Sequence, residues 1–166
     1  MPVNILFVCL GNICRSPTAH GVFQCLVDEK GLSESISVDS AGTGAWHVGK
    51  APDGRATAAA RQRGYDLTPL RARQVRQQDF VEFDYIIAMD DSNLSDLMAL
   101  YRAGGSKGAE PVLFLDRYLP VASESSVPDP YYGGDEGFEH VLNLVEAASL
   151  RLLNTLIANH PELHSA

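Results

Sequence analysis

The segment Val8 to Thr18 (V-C-L-G-N-I-C-R-S-P-T) carries the residues best suited to covalent chemistry on an anion. Cys9 is followed six positions later by Arg15 and then by Ser16. An arginine can donate two parallel hydrogen bonds to a phosphoryl group, and a cysteine thiolate is a strong nucleophile. The spacing therefore indicates a cysteine that attacks a phosphoryl group held by the arginine.

The elements that flank this segment are those that bind anions in α/β proteins. Val3 to Val8 (V-N-I-L-F-V) is a continuous apolar run typical of a buried parallel strand, and Ser16-Pro17 opens a helical pattern that reaches about Glu29. Open α/β sheets bind ligands at the carboxyl ends of their strands. A helix N-terminus adds unpaired N–H groups and partial positive charge, so the junction predicts a phosphate site.

The loop between strand and helix favours the reactive form of the cysteine. Gly11 and Asn12 permit the backbone angles that turn successive amides inward as an anion nest. Those amides, the helix terminus and the arginine all favour a thiolate at Cys9, to which Ser16 could donate a hydrogen bond. A lone cysteine at a strand end is more often a small packing residue, and only the combined pattern outweighs that reading.

Strands and helices alternate along the rest of the chain, which predicts an α/β fold with a parallel sheet. No cluster of His and Asp with metal-ligand spacing is present, so neither a metal nor another cofactor is expected. Further strands are predicted at Ile36 to Ser40, Tyr85 to Met89 and Val112 to Leu115, helices at Arg55 to Arg63, Asn93 to Tyr101 and Glu136 to Asn159, and a long polar loop at Asp116 to Asp135.

Length and composition exclude several classes of protein. The 166 residues, 45% of them hydrophobic, suit a single domain over residues 1–160 with a short C-terminal tail at 161–166. A net charge of −8 argues against nucleic acid as a partner and predicts a monomer. We expect no membrane span, no signal peptide and, with three cysteines, no disulfide framework, which together predict a cytoplasmic protein.

The motifs resemble those of the low-molecular-weight protein tyrosine phosphatases across almost the whole chain. The resemblance rests on C-L-G-N-I-C-R-S-P-T from Cys9, S-A-G-T-G-A-W-H-V-G from Ser40, M-D-D-S-N-L from Met89 and D-P-Y-Y from Asp129. It implies a Rossmann-like, four-stranded parallel twisted sheet with helices on both faces. It also implies hydrolysis of phosphotyrosine and small aryl phosphates through a phosphocysteine intermediate, with inorganic phosphate as product.

The same resemblance implies roles for individual residues. Cys9 would be the nucleophile, Asp129 the general acid and then base, and Cys14 a partner in a reversible disulfide with Cys9 that limits over-oxidation. The alternatives are that Asp129 is a turn residue before a proline and that Cys14 only packs. Phosphate would be bound by Leu10, Gly11, Asn12, Ile13, Cys14, Arg15 and Ser16, and the substrate ring by Leu10, Trp46, Tyr131 and Tyr132, although Trp46 could equally be a semi-buried anchor.

Two departures separate the chain from relatives of similar sequence. Many family members have a histidine that supports the phosphate loop, but residues 65–74 contain none and Pro69 stands in that segment. His20 and His47 are expected at surface or hydrogen-bonded positions instead. Phosphoarginine phosphatases of this fold typically carry threonine where Ile13 stands, and arsenate reductases need downstream cysteines that are missing after Cys25. A catalytically silent phosphate-binding module is the remaining alternative.

Overall fold

A single all-parallel sheet forms the centre of the protein, with strand order β2-β1-β3-β4. The computed structural model describes residues 2–120, 124–131 and 133–165, the side chains of residues 164 and 165 excepted. The fold class predicted from the sequence is confirmed. The strands are β1 Val3–Cys9, β2 Ile36–Gly42, β3 Tyr85–Ala88 and β4 Val112–Leu113, and the helices are α1 Arg15–Glu29, α2 Gly54–Gln62, α3 Asp79–Glu82, α4 Asp91–Ala103, α5 Phe114–Tyr118 and α6 Asp135–Asn159.

Strand β1 is central, and this explains its unbroken apolar sequence. It pairs with β2 from Val3–Ile36 to Cys9–Gly42 and with β3 on its other edge. Because both edges and both faces are covered, nearly every side chain of the strand must be apolar. The strand ends at Cys9, so the predicted nucleophile lies at the carboxyl edge of the sheet.

Helices cover both faces of the sheet and divide the core in two. Ile5 and Phe7 point to the face covered by α1, α5 and α6, where Phe7 packs edge-on against Phe23 and Phe114. Leu6 and Val8 point to the face covered by α3 and α4. This alternation is the period-two pattern of a strand. The register of β1 between its neighbours places Cys9 opposite Gly42, at the carboxyl end of the sheet.

Helix α6 is longer and more apolar than the other helices. Among the described residues it alone reaches the length and mean hydropathy of a membrane span, by length and composition only. Its apolar residues have another use, because the helix packs against α1, α2 and α5 and buries one side in the core. The buried side chains are Phe138, Val141, Leu142, Val145, Ala148, Ser149, Leu152, Leu153 and Leu156.

Two short helices were not predicted. The run Val112 to Leu115 was read as a strand, but only Val112–Leu113 pairs with β3, and helix α5 begins at Phe114. Phe114 and Leu115 are completely buried, and a short buried apolar run has the same composition in either conformation. The polar loop therefore starts after Tyr118, and α3 occupies a segment to which no element was assigned.

Candidate active site

The sulfur of Cys9 lies at the end of β1, where two groups can stabilise it as an anion. Cys9 is 2% exposed. Its Sγ lies 3.0 Å from the Ser16 hydroxyl, and the backbone N–H of Asn12 donates to it over 3.3 Å. Because Asn12 has a φ of +58°, its amide turns back toward Sγ, as the sequence predicted for this turn.

The side chain of Asn12 fixes the direction of the Ser16 hydroxyl proton. Asn12 Nδ2 donates to Ser16 Oγ at 2.8 Å, and the backbone N–H of Arg73 donates to Asn12 Oδ1 at 3.0 Å. Ser16 Oγ thus already accepts a bond, and its own proton can go to Cys9 at 3.0 Å or to the Ala41 carbonyl at 3.4 Å. The shorter contact favours donation to a Cys9 thiolate.

Helix α1 begins at the pocket without a side-chain cap. Its N-cap residue, Cys14, makes no capping hydrogen bond, whereas the N-terminal amides of α2 and α4 are bonded by Asp53 and Asp90. The unpaired amides of a first helical turn attract anions. The N-cap residues of α3, α5 and α6 also make no side-chain capping bond, so it is the location of α1 at the pocket that presents its first amides to a phosphate group.

Arg15 lies under the pocket. It is bonded by Asp90, the N-cap residue of α4, which follows β3. It is 3% exposed, with Nη1 bonded to Asp90 Oδ2 at 2.5 Å and to the Val127 carbonyl at 3.2 Å. Burial opposes its positive charge, but Cys9, Asp90 and Asp129 outweigh burial and hold the guanidinium pKa above its usual value. Asp90 was not singled out from the sequence. Its position directly after a strand, with Asn93 at the N3 position of a helix, was the available signal.

Asp129 reaches the same site from the loop before α6. Its Oδ2 lies 3.6 Å from Arg15 Nη2, and its Oδ1 accepts the backbone N–H of Tyr131 at 3.0 Å. The side chain is 39% exposed, so solvent and a substrate can both reach the carboxyl group. The structure therefore brings together Cys9, Arg15 and Asp129, the residues predicted to carry the chemistry.

A pocket of about 450 Å³ opens above these three residues. Trp46 at its rim is 69% exposed, which argues against the alternative of a semi-buried anchor, and Tyr131 is 37% exposed. Tyr132, the other predicted wall residue, lies outside the described residues. Among the described residues the lining comprises Cys9, Leu10, Gly11, Ile13, Cys14, Arg15, Trp46, His47, Asp129 and Tyr131.

His47 and Cys14 take positions that the sequence did not predict in detail. His47 lines the pocket against Gly11, where a Cβ atom would lie 2.9 Å from its ring, and its buried Nδ1 has no partner among the described residues. His47 is partly buried at the wall of the open pocket, so the prediction of a surface or hydrogen-bonded position is not contradicted. Burial, followed by Asp53, Cys9 and Asp129, raises the pKa of Cys14 to about 12, so this thiol stays protonated at neutral pH.

Known proteins match this architecture and this site together. The family model described as low molecular weight phosphotyrosine protein phosphatase matches residues 4–162. The chain belongs to this family. A low molecular weight protein-tyrosine-phosphatase of Streptomyces coelicolor is 44% identical over 155 residues, covering 92% of this chain and 93% of its own. The YfkJ phosphatase of Bacillus subtilis is 41% identical over 154 residues, which cover 93% and 96% of the two chains.

Solved structures agree with the family assignment. The crystal structure of YfkJ superposes with a TM-score of 0.89 at 39% identity, covering 96% of this chain and 98% of YfkJ. An arginine phosphatase from Drosophila superposes with a TM-score of 0.85 at 34% identity, covering 91% and 96%. The protein is thus an enzyme of the low molecular weight phosphotyrosine protein phosphatase family.

The phosphatase supports its phosphate loop without the family histidine. Arg73, whose N–H holds Asn12, is itself fixed by Asp79, with Nη1 and Nη2 at 3.0 and 3.2 Å from the two carboxylate oxygens. Asp79 is completely buried, and Asp39 bonds the Nε of the same arginine at 3.1 Å. Pro69 is exposed. Asn12 and Arg73 support the loop; a supporting role for the Asn12 side chain is expected from the sequence, whereas no local pattern indicates Arg73.

The described part of the phosphatase shows no arrangement of side chains typical of a metal site. Within residues 2–120, 124–131 and 133–163, no group of three or more His, Cys, Asp or Glu side chains has the arrangement of a metal site. The positive charge at the described pocket comes from Arg15 and the start of α1.

Proposed function

We propose that the phosphatase hydrolyses phosphotyrosine and small aryl phosphates through a phosphocysteine intermediate on Cys9, without a metal ion. One observation carries the proposal: Cys9, Arg15 and Asp129 line one pocket although Asp129 follows Cys9 by 120 residues in the sequence. Such convergence of a nucleophile, an anion-binding group and a carboxylic acid is what a two-step phosphoryl transfer needs.

In the first step the Cys9 thiolate attacks phosphorus and the bond to the phenolic oxygen breaks. Arg15 and the first amides of α1 bind the non-bridging oxygens, whose charge they offset while the S–P bond forms. Asp129 enters this step protonated and gives its proton to the departing phenolate oxygen. Its exposure of 39% and its distance of 3.6 Å from Arg15 suit a group that must reach an oxygen on the open side of the phosphorus.

In the second step the phosphocysteine is hydrolysed. Asp129, now a carboxylate, takes a proton from water as the water oxygen attacks phosphorus. The S–P bond breaks, inorganic phosphate leaves, and the electron pair returns to the Cys9 sulfur. The Ser16 hydroxyl at 3.0 Å and the Asn12 amide at 3.3 Å stabilise that returning charge. One water molecule is consumed in each cycle.

The walls of the pocket favour a flat aromatic ring as the leaving group. Leu10, Trp46 and Tyr131 present apolar and aromatic surface at the mouth, and Tyr132 is proposed to add to it. Such walls can stack on a phenyl ring, whereas a shorter phosphoserine would not reach them from the phosphate loop. Ile13 lines the pocket with a branched apolar side chain, which disfavours the guanidinium of phosphoarginine.

The direct test is a comparison of peptides that carry phosphotyrosine, phosphoserine or phosphoarginine at one position, with and without a chelator. We expect phosphate release from the phosphotyrosine peptide alone, at a rate that the chelator does not change. Preference for the phosphoarginine peptide would show that Ile13 does not set the specificity. Tight binding of the phosphotyrosine peptide without turnover would identify a phosphate-binding module instead.

A further inference from the structure

Arg55, in the first turn of α2, joins two parts of the active site that are far apart in the sequence. We propose that Arg55 is a positioning residue that sets the location of Asp129 relative to Cys9. The inference rests on the proposed function, because it assigns Arg55 to the step in which Asp129 transfers a proton. Arg55 acts through the backbone of the loop that carries Asp129, and it is not proposed to touch the phosphoryl group.

The start of α2 is fixed to the phosphate loop, which gives Arg55 a defined origin. The backbone N–H of Asp53 donates to the carbonyl of Ile13 at 2.8 Å. Asp53 Oδ1 then caps the helix by accepting the N–H groups of Arg55 at 2.8 Å and Ala56 at 3.3 Å. Its two carboxylate oxygens also lie 3.4 Å from the guanidinium of Arg55. The position of Arg55 therefore follows that of the loop that holds Cys9.

From the start of α2 the Arg55 guanidinium reaches the backbone of the loop that carries Asp129. Its Nη2 donates to the carbonyl of Tyr131 at 2.7 Å, and its Nη1 lies 3.4 Å from the carbonyl of Gly133. The same guanidinium lies 4.9 Å from the ring centre of Phe138 and 5.6 Å from that of Tyr131. A planar fork between two carbonyls and two rings has few alternative orientations, so it constrains the loop more than a single ammonium would.

A single residue, Tyr131, connects Arg55 to the carboxyl group of Asp129. The carbonyl of Tyr131 is bonded by Arg55, and the N–H of Tyr131 donates to Asp129 Oδ1 at 3.0 Å. On its other side, Asp129 lies 3.6 Å from Arg15, a separation beyond an ordinary hydrogen bond. The orientation of the carboxyl group consequently depends on the Tyr131 backbone, and through it on Arg55.

The proposed role separates catalysis from folding. The Arg55 side chain is 43% exposed, and its contacts lie at the surface, where such interactions contribute little to stability. An error of about 1 Å in the position of a catalytic group, in contrast, can lower a rate by about 10²-fold. Loss of Arg55 is thus expected to weaken the acid step far more than the fold.

The experiment compares Arg55→Ala and Arg55→Lys with Arg61→Ala, a change at an exposed arginine in the last turn of the same helix. For each, kcat/KM is measured with phenyl phosphate, whose leaving group needs a proton, and with p-nitrophenyl phosphate, whose leaving group needs it less. We expect Arg55→Ala to lower the first value about 10-fold and the second less than about 2-fold. Arg55→Lys should recover part of the loss, and Arg61→Ala should match the wild-type enzyme.

Two further measurements distinguish positioning from general damage. The inhibition constant of inorganic phosphate should be unchanged in Arg55→Ala, because the phosphate loop is intact. In an Asp129→Ala background, adding Arg55→Ala should cause no additional loss, since the two residues act in one step. Equal losses with both aryl phosphates, weaker phosphate inhibition, or additive losses in the double variant would each overturn the inference. Wild-type enzyme without activity on either aryl phosphate would instead overturn the proposed function.

Discussion

The phosphate loop (residues 9–16) and the acid loop (residues 119–134) meet at one pocket but are held in different ways. The phosphate loop runs from β1 into α1, and its polar members Asn12, Arg15 and Ser16 are nearly completely buried. The described residues of the acid loop lie between α5 and α6, outside any helix or strand, and the Asp129 side chain is 39% exposed. The nucleophile is positioned by the fold itself. The acid loop is anchored before Asp129 by buried Val127, whose carbonyl accepts from Arg15, and after Asp129 by contacts of the exposed Arg55 side chain.

This difference predicts which changes alter stability and which alter only one chemical step. Contacts under the phosphate loop are buried and polar, so losing one leaves a partner unsatisfied and destabilises the protein. The contacts that follow Asp129 in the acid loop, those of Arg55 to the Tyr131 and Gly133 carbonyls, involve an exposed side chain, so water can replace them. Changes in the acid loop should therefore appear in the dependence of rate on leaving group, with little effect on unfolding.

The largest effect is expected at the nucleophile. Cys9→Ser should lower turnover of p-nitrophenyl phosphate by about 10⁴-fold or more, because a serine hydroxyl at this site is a far weaker nucleophile than a thiolate. Phosphate affinity, measured by calorimetry, should persist because Arg15 and the start of α1 remain. The matched control is Cys25→Ser, a change at a partly exposed cysteine on α1. Turnover retained in Cys9→Ser would exclude the covalent mechanism.

The next largest effect is expected at the acid. Asp129→Ala should lower kcat/KM about 10²- to 10³-fold for phenyl phosphate and distinctly less for p-nitrophenyl phosphate, because only the former needs full protonation of its leaving group. Asp129→Asn, which keeps the shape, should behave the same way. Urea unfolding should change by less than about 0.5 kcal/mol, as for other exposed positions. Identical losses with the two substrates would remove Asp129 from the acid role.

The same contrast explains what the sequence could predict. The four strands, the helix after Cys9 and the phosphate loop follow from local patterns: an apolar run, a Gly-Asn turn and a helix start. These elements position Cys9 and Arg15, so the nucleophilic half of the site could be predicted from contiguous residues. The choice of Asp129 among many carboxylates could not, and it came from resemblance to a family.

Residues that act across the fold escaped prediction because their partners are distant in the sequence. Asp90 meets Arg15 across 75 residues, Arg73 meets Asn12 across 61, and Arg55 meets Tyr131 across 76. No local pattern shows that these residues meet: Arg15 and Asp90 each have a local signal of their own, whereas Arg55 and Arg73 alone resemble ordinary surface residues. Helices α3 and α5 were missed for a different reason, because they are too short for a helical period to be recognised.

A change beneath the phosphate loop should show the opposite pattern to one in the acid loop. Asp79→Asn removes the charge of a completely buried carboxylate that accepts from Arg73 and from the Arg76 N–H, and we expect a loss of about 1–3 kcal/mol in the free energy of unfolding, because these charge-assisted hydrogen bonds are weakened or left unmade. The ratio of kcat/KM for phenyl and p-nitrophenyl phosphate should stay near the wild-type value. The measurements are urea unfolding and steady-state kinetics at low temperature.

Arg73 offers its own control for that prediction. Asp39 bonds the same guanidinium but is 44% exposed, so Asp39→Asn should cost less than about 1 kcal/mol. If the two variants were equally stable, the burial of Asp79 would make no special contribution to the support of the phosphate loop. If Asp79→Asn changed the ratio of kcat/KM for phenyl and p-nitrophenyl phosphate, the two loops would not act independently.

The smallest effect is expected from the titration of His20 on α1, whose Nδ1 lies 3.1 Å from Ser40 Oγ in β2. Burial lowers the pKa of His20 below its usual 6.5, and Asp39 only partly opposes this. The unfolded chain therefore binds the proton more readily, so this contribution to stability is complete above about pH 6.5 and is lost as the pH falls below that value. Thermal unfolding of the wild-type enzyme at pH 7.5 and 5.5, compared with His20→Gln, should show a smaller decrease in Tm for the variant. An identical decrease in Tm in both proteins would mean that groups other than His20 cause the loss of stability in acid.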